Sequence, residues 1–318
     1  MPQRITDFHL RAEDFGTFGS DLARPECVWI DADGVWTSDA RGGVSRVHAD
    51  RPAATIGSGI HEPNGFSRRR DGSFVVAGLG DGKVHLIRPD GKTSVLLDTV
   101  DGKPLGAVNC AWADKERTWV SVMTDALPWS VSMNQEARGY IVLLDDDGAR
   151  IVADGLHQTN EVKVSADGRY LYAVETLGRH LVRFEIGANG RLGRKEIVGP
   201  ADLGHGAYPD GFTFDAEGNI WVTLIIRNGL AVISREGDYH VVYEEPKAAA
   251  IDNLVDAIAA GVADVATMRA CIGERLPFPT SIAFGGKDRR TAYVGSLATP
   301  HVFTFRSPVA GETRSLNG

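Results

Sequence analysis

A unit of two strands and two turns recurs along the chain, and a repeat of this kind leaves few folds open. Each copy begins with Asp-Gly or an equivalent turn, continues as a strand ending in small residues, turns again, and resumes as a second apolar-rich strand. The copies begin at Asp33-Gly34, Asp71-Gly72, Arg117, Asp167-Gly168, Glu217-Gly218 and Arg290. The first five starts lie roughly 40 to 50 residues apart, the length of one four-stranded propeller blade. Apolar, β-branched and aromatic residues recur at short intervals, as at Val84, Leu86 and Ile87, or at Leu181, Phe184 and Ile186. That pattern is read as strand rather than helix. The expectation is an all-β, six-bladed β-propeller in a single domain over residues 1–318. A row of β-sandwich domains is the rival, but no Pro/Ser-rich linker separates the copies.

Two segments stand outside the unit. Asp7–Phe15 reads as a strand that completes the last blade beside His301–Arg306, closing the ring. Between the fifth and sixth copies, residues 248–273 carry Ile251, Leu254, Val255, Ile258, Val262, Val265 and Ile272 at helical spacing. This predicts a helical insertion before the last blade, capped by Gly273, that packs on the propeller or serves as a lid or an oligomer contact.

Composition narrows the partners. The net charge is -8, and no basic cluster is present to neutralise a run of phosphates, which excludes nucleic acid and disfavours anionic lipid. The stretch Met1–Leu10 is polar, and no run of about 18 apolar residues occurs, so no membrane span is expected and a cytoplasmic location is. Cys27, Cys110 and Cys271 are odd in number and far apart, suggesting reduced, semi-buried thiols.

Ahead of each turn lies another strand, and at the start of each sits a polar residue: Glu26, Asn64, Asn109, Asn160, Asp210, and Thr280 or Ser281. In a propeller the innermost strands line the central channel, so residues in register converge on the axis. Two carboxylates with amide oxygens and no thiolate suit a hard divalent cation. Turn chemistry accounts for Asn64-Gly65 taken alone. It does not account for Glu26 or Asn109, which precede Cys27 and Cys110.

Pro209-Asp210-Gly211 followed by FDAEGNIWV, Thr159-Asn160 followed by SADGRYLYAVET, Arg24-Pro25-Glu26, and the late TSIAFGGKDRRTAYVGS carry a resemblance. Over nearly its whole length the sequence resembles the family of gluconolactonases, senescence marker protein (regucalcin) and luciferin-regenerating enzyme. The resemblance implies that Glu26, Asn160 and Asp210 hold one divalent metal ion, calcium first, with zinc, magnesium, manganese and iron(II) as alternatives. It places Asn109 facing metal and substrate. Where sugar-lactone enzymes of the family carry Arg-x-Asn-Asp, this chain has Ala107-Val108-Asn109-Cys110, so the guanidinium expected there is missing. It also implies that the excursion Thr124–Arg138, with Trp129 and Met133, walls the substrate.

The reaction so implied is metal-assisted hydrolysis of a lactone or related small ester, with Asp210 as proton acceptor and Asn109 positioning the carbonyl. His61, His157 and His205 lie a few residues before axial positions and are rival bases. Asn64, Trp129, Met133, His157 and His205 complete the expected substrate contacts. Trp29, Trp36, Trp119 and Trp221 are expected to pack between blades. A non-catalytic propeller that binds a metal or ligand remains the alternative, since this architecture hosts many functions.

Overall fold

A computed structural model describes residues 5–115, 117–134 and 136–313. The outermost parts of the expected 1–318 domain, residues 1–4 and 314–318, lie outside the described residues, as do Glu116 and, within the Thr124–Arg138 excursion, Gln135. The fold is all-β with few helices. Its strands form four four-stranded sheets, one eight-stranded sheet and a two-stranded ribbon. The eight-stranded sheet consists of two antiparallel meanders, starting at Pro63 and at Ala107, joined by one parallel pair of Cys110 with Gly65.

The strands that open the meanders are Val28–Asp31, Pro63–Arg68, Ala107–Asp114, Thr159–Val164, Pro209–Phe214 and Pro279–Gly285. They touch one another in cyclic order, and the last meets the first. The arrangement is propeller-like. Burial falls from inside to outside: Phe74–Gly78, Ile220–Leu224 and Gly229–Ile233 are buried at every residue, whereas the outer strand Thr93–Leu97 has none buried. Inner strands have both faces covered by neighbouring sheets, so they read as unbroken apolar runs rather than strict alternation. Aromatic rings bridge the sheets, Trp36 with Phe74 at 5.0 Å and Tyr172 with Phe214 at 5.0 Å between centroids. Trp119 and Trp221 are fully buried in these layers. Trp29 differs from expectation: it meets Trp112 at 5.6 Å and lines the end of the channel near Lys163.

The N-terminal segment departs from its expected form. Asp7–Phe15 is not a strand. It contains the end of one 3-10 turn, Ile5–Asp7, and a second, Ala12–Asp14. The Asp14 carboxylate accepts the Arg11 amide at 2.8 Å, and that local bond competes with extended pairing. Leu10 and Phe15 are buried, Leu10 donating to Val242 and Phe15 packing on Tyr243 at 4.8 Å. The strand that joins Val302–Arg306 is Gly16–Phe18, with Gly16 opposite Thr304.

The segment before the last sheet forms two helices, α1 (Ala248–Ala259) and α2 (Val265–Arg269). Gly273 caps neither. Gly261, at φ +70°, ends α1: its amide donates to Ile258, and the Val262 amide donates to Ala257. These are the two bonds of a Schellman ending, which only a residue tolerant of left-handed backbone makes cheaply. Asp264 then accepts the Thr267 amide at 2.7 Å and starts α2. Gly273 instead donates to Asn228 at 2.9 Å, anchoring the segment to the fifth sheet. Asn134 holds its other side, donating to the Ala263 carbonyl at 2.7 Å and accepting the Ala263 amide at 2.8 Å. No helix among the described residues is long and apolar enough to cross a membrane. Cys27, Cys110 and Cys271 are free and buried rather than semi-buried.

Candidate active site

The polar residue of five of the six opening strands is aimed by a local irregularity. Antiparallel pairing shifts register between Pro63 and Phe66, around Val108 to Cys110, between Thr159 and Val162, between Pro209 and Phe212, and between Pro279 and Ile282. Asn64, Asn109, Asn160, Asp210 and Thr280 sit at these bulges, which bend the strand and redirect a side chain. A second device precedes four of the positions by two residues: Arg24, Glu62, Gln158 and Phe278 have φ of +52°, +52°, +58° and +46°. Non-glycine residues pay for left-handed backbone, so four in equivalent places mark a constraint.

Asn64 and Asp210 are each followed by a glycine because a neighbouring strand crowds it. A Cβ on Gly65 would lie 2.7 Å from the Cys110 Cβ, and one on Gly211 would lie 2.4 Å from the Thr280 carbonyl oxygen. Asn64-Gly65 is therefore a strand pair at a close approach and not a turn. Hydrogen bonds stitch the ring: Arg24 donates to the Pro63 carbonyl and Asn64 Oδ1, and Asn64 Nδ2 to the Asn109 carbonyl. Thr176 donates to the Pro209 carbonyl, and Thr280 to the Glu26 carbonyl.

Glu26, Asn64, Asn109, Asn160 and Asp210 all line one cavity. All five are buried, none more than 7% exposed. Glu26 Oε2 and Asn160 Oδ1 are buried without a hydrogen-bond partner, an arrangement folded proteins avoid unless the oxygen serves a ligand. The Asn160 amide nitrogen is fixed by the Thr176 hydroxyl at 3.1 Å, so the orphaned oxygen has a set direction. Burial raises the Glu26 carboxyl to about 8, with the Arg24 charge opposing, Glu161 adding and Lys163 opposing. Burial, then the charges of Glu26 and Glu161, lift Asp210 well above the carboxylate range, against Arg24 and a hydrogen bond from Asn160. Two buried carboxyl groups that disfavour each other's ionisation are what a cation between them would reconcile. Among the described residues no cluster of three or more His, Cys, Asp or Glu side chains forms.

Asn109 lines the cavity with no side-chain hydrogen bond among the described residues, leaving its amide available. Asn64 lines the cavity with one amide bond accepted from Arg24 and one donated to the Asn109 carbonyl, which fix its orientation. Trp129 and Met133 line the cavity, on and beside a 3-10 turn at Trp129–Asn134. The histidines do not. His61, His157 and His205 are exposed, and none lines the cavity. His157 presents its backbone amide to Glu175, and His205 bonds Asp252 at 2.8 Å on the outside of α1.

Several cavity residues were not foreseen. Arg24, just ahead of the first sheet, brings a guanidinium to the cavity, although the position near Ala107 carries none. Its place two residues before Glu26 was the available signal. Gln158, Thr176 and Tyr208 contribute polar edges, while Leu254 and Ile258 of α1 and Met268 of α2 cover the cavity.

Residues 24–255 match the SMP-30/Gluconolactonase/LRE-like region. A 6-deoxy-6-sulfogluconolactonase from Pseudomonas putida is 24% identical over 239 residues, covering 73% of this chain and 67% of that protein. Two solved structures share the fold. A calcium-binding protein, regucalcin, from Agrobacterium tumefaciens aligns over 96% of this chain and 98% of its own at 16% identity, with a TM-score of 0.68. A gluconolactonase from Xanthomonas campestris aligns over 92% and 88% at 17% identity, with a TM-score of 0.67.

Proposed function

The chain belongs to the SMP-30/gluconolactonase/LRE-like family, and from that premise we propose that it is a metal-dependent hydrolase that opens a lactone or related small cyclic ester. Counting each four-stranded meander as a blade gives a single six-bladed propeller with α1 and α2 inserted before the last blade. In this reading Glu26, Asn160 and Asp210 hold one divalent ion, and calcium is the first choice. Zinc, magnesium, manganese and iron(II) are the alternatives.

The observation that carries the reading is the pair of orphaned buried oxygens, Glu26 Oε2 and Asn160 Oδ1, in one cavity with a second buried carboxyl, Asp210. Hard oxygen donors of this kind suit a hard cation. When bound, such an ion polarises an ester carbonyl and acidifies water. The protein supplies the rest. Asn109 offers an amide with no side-chain hydrogen bond among the described residues to orient the carbonyl group. Asp210 accepts the proton of the attacking water, since no histidine enters the cavity. Arg24 fixes Asn64, which in turn holds the Asn109 main chain. The roof excludes bulk water, which strengthens every charge interaction beneath it.

Proton release from a panel of aliphatic, aromatic and sugar lactones, with and without chelator, tests this. Turnover is expected with a divalent ion and is expected to fall to background in Asp210→Asn or after chelation. Turnover that survives both unchanged defeats the metal mechanism, and an inert panel under every divalent ion defeats the hydrolase.

A further inference from the structure

The cavity is divided by polarity. Its oxygen donors gather at Glu26, Asn109, Asn160 and Asp210, whereas the roof and facing wall are hydrocarbon and thioether: Trp129, Met133, Leu254, Ile258, Met268 and Ile226. The other polar residues that line it are already engaged within the protein. Arg24 bonds Pro63 and Asn64; Gln158 donates to Ser132 at 2.6 Å. Thr176 donates to Pro209 and accepts from Asn160, and Tyr208 pairs with Arg179. Among the described residues Asn109 has an amide with no side-chain hydrogen bond, and Gln158 keeps its amide oxygen free.

This leaves few free partners for the several hydroxyls of a polyhydroxylated ring, mainly the spare N–H groups of Arg24 and the Gln158 amide oxygen. A hydroxyl carried from water against apolar side chains, with no hydrogen bond made, costs more than the contact returns. A hydrocarbon substituent gains by the same burial. Met133 and Met268 are unbranched and adaptable, so the roof accommodates more than one shape of apolar group.

Resting on the hydrolase reading above, we propose that the substrate is a lactone bearing a hydrocarbon arm, alkyl or aryl. The ring ester lies over the oxygen donors, and the arm lies beneath α1 and α2. Water oxygen bonds to the acyl carbon, the ring carbon–oxygen bond breaks, and the alkoxide takes a proton. The product is a hydroxycarboxylate, with one proton released to solvent. The roof thereby selects by the arm and not by the ring hydroxyls.

The test is a series of γ-lactones with side chains from none to hexyl, set against an aldonolactone of the same ring size and assayed by proton release in the presence of calcium. Wild-type kcat/KM is expected to rise about three- to fourfold per methylene until the roof is filled. Ile258→Asn and Met268→Gln, at half-buried positions that the fold tolerates, are expected to flatten that rise. An aldonolactone opened faster than every alkyl lactone overturns the inference and leaves the hydrolase standing. Calorimetric binding of the same series separates the two failures. Affinity that climbs with arm length in a protein that opens no ring overturns the hydrolase and upholds the apolar chamber. Affinity indifferent to arm length overturns the chamber.

Discussion

Asn134 and Ala263, 129 residues apart, exchange two hydrogen bonds of 2.7 and 2.8 Å, so the turn that carries Trp129 is latched to the loop between α1 and α2. Both halves of the cavity roof are thus one mechanical piece. Asn134→Ala removes both bonds at an exposed side chain and is expected to cost only about 1 kcal/mol of global stability. Amide hydrogen exchange across residues 257–268 is expected to quicken well beyond that figure, because the latch acts locally. Unchanged exchange there would show that packing alone holds the roof.

Gly211 follows Asp210 where two opening strands nearly touch. Gly211→Ala places a methyl group 2.4 Å from the Thr280 carbonyl oxygen and 2.9 Å from Glu161 Oε2. The backbone must yield, at a cost of about 1–3 kcal/mol. Thermal unfolding should fall accordingly and calcium affinity should weaken, since the displaced strand carries Asp210. Gly102→Ala, at a site with open space around it, is the control for volume, although its φ of +74° brings a smaller strain of its own.

Calcium at about a hundred times its dissociation constant is expected to stabilise the wild-type protein by about 2.7 kcal/mol. Differential scanning calorimetry with and without chelator reads the shift. Asp210→Asn should show none, and in chelator it should unfold above the wild type, because a buried carboxyl that repels Glu26 has gone. A calcium shift retained in the variant would remove Asp210 from the ligand set.

Glu175 gives a pH dependence separate from the cavity chemistry. Burial alone would raise its carboxyl, but the His180 hydrogen bond, the His157 amide and the charges of Lys195 and His180 hold it at about 2. Its partners lie at 3.0 Å and 3.2 Å, and the side chain is fully buried. A depressed folded-state value means stability present above the unfolded value, near 4.3, and lost as pH falls toward 2. Glu175→Ala is therefore expected to cost about 3 kcal/mol at pH 6. Urea titrations should show the gap between variant and wild type closing below pH 4.

The β class, the repeat and the polar series were legible because the repeat fixes register: Glu26, Asn160 and Asp210 occupy the same place in three different units. What the repeat cannot encode is geometry within a unit. The left-handed residues Arg24, Glu62, Gln158 and Phe278 share no residue type, so nothing in their identities announces a common backbone. Gly261 rather than Gly273 ends α1, because composition alone does not say which of two glycines meets the terminal carbonyls. The strand at the amino terminus was misplaced by a local Asp14 bond, invisible to periodicity. The histidines misled for a related reason: a few residues of sequence separate them from the axial positions, but the intervening left-handed turn or loop puts them on the outside.

The pairing of Gly16–Phe18 with Val302–Arg306 sets a timetable for the molecule's birth. Gly16–Phe18 leaves the ribosome well ahead of its partner strand, by about fifteen to sixty seconds at ordinary rates of translation. Until then that sheet lacks its outer member. A chain stalled short of residue 302 therefore presents Thr291–Ser296 as an uncovered edge, open to pairing with another chain.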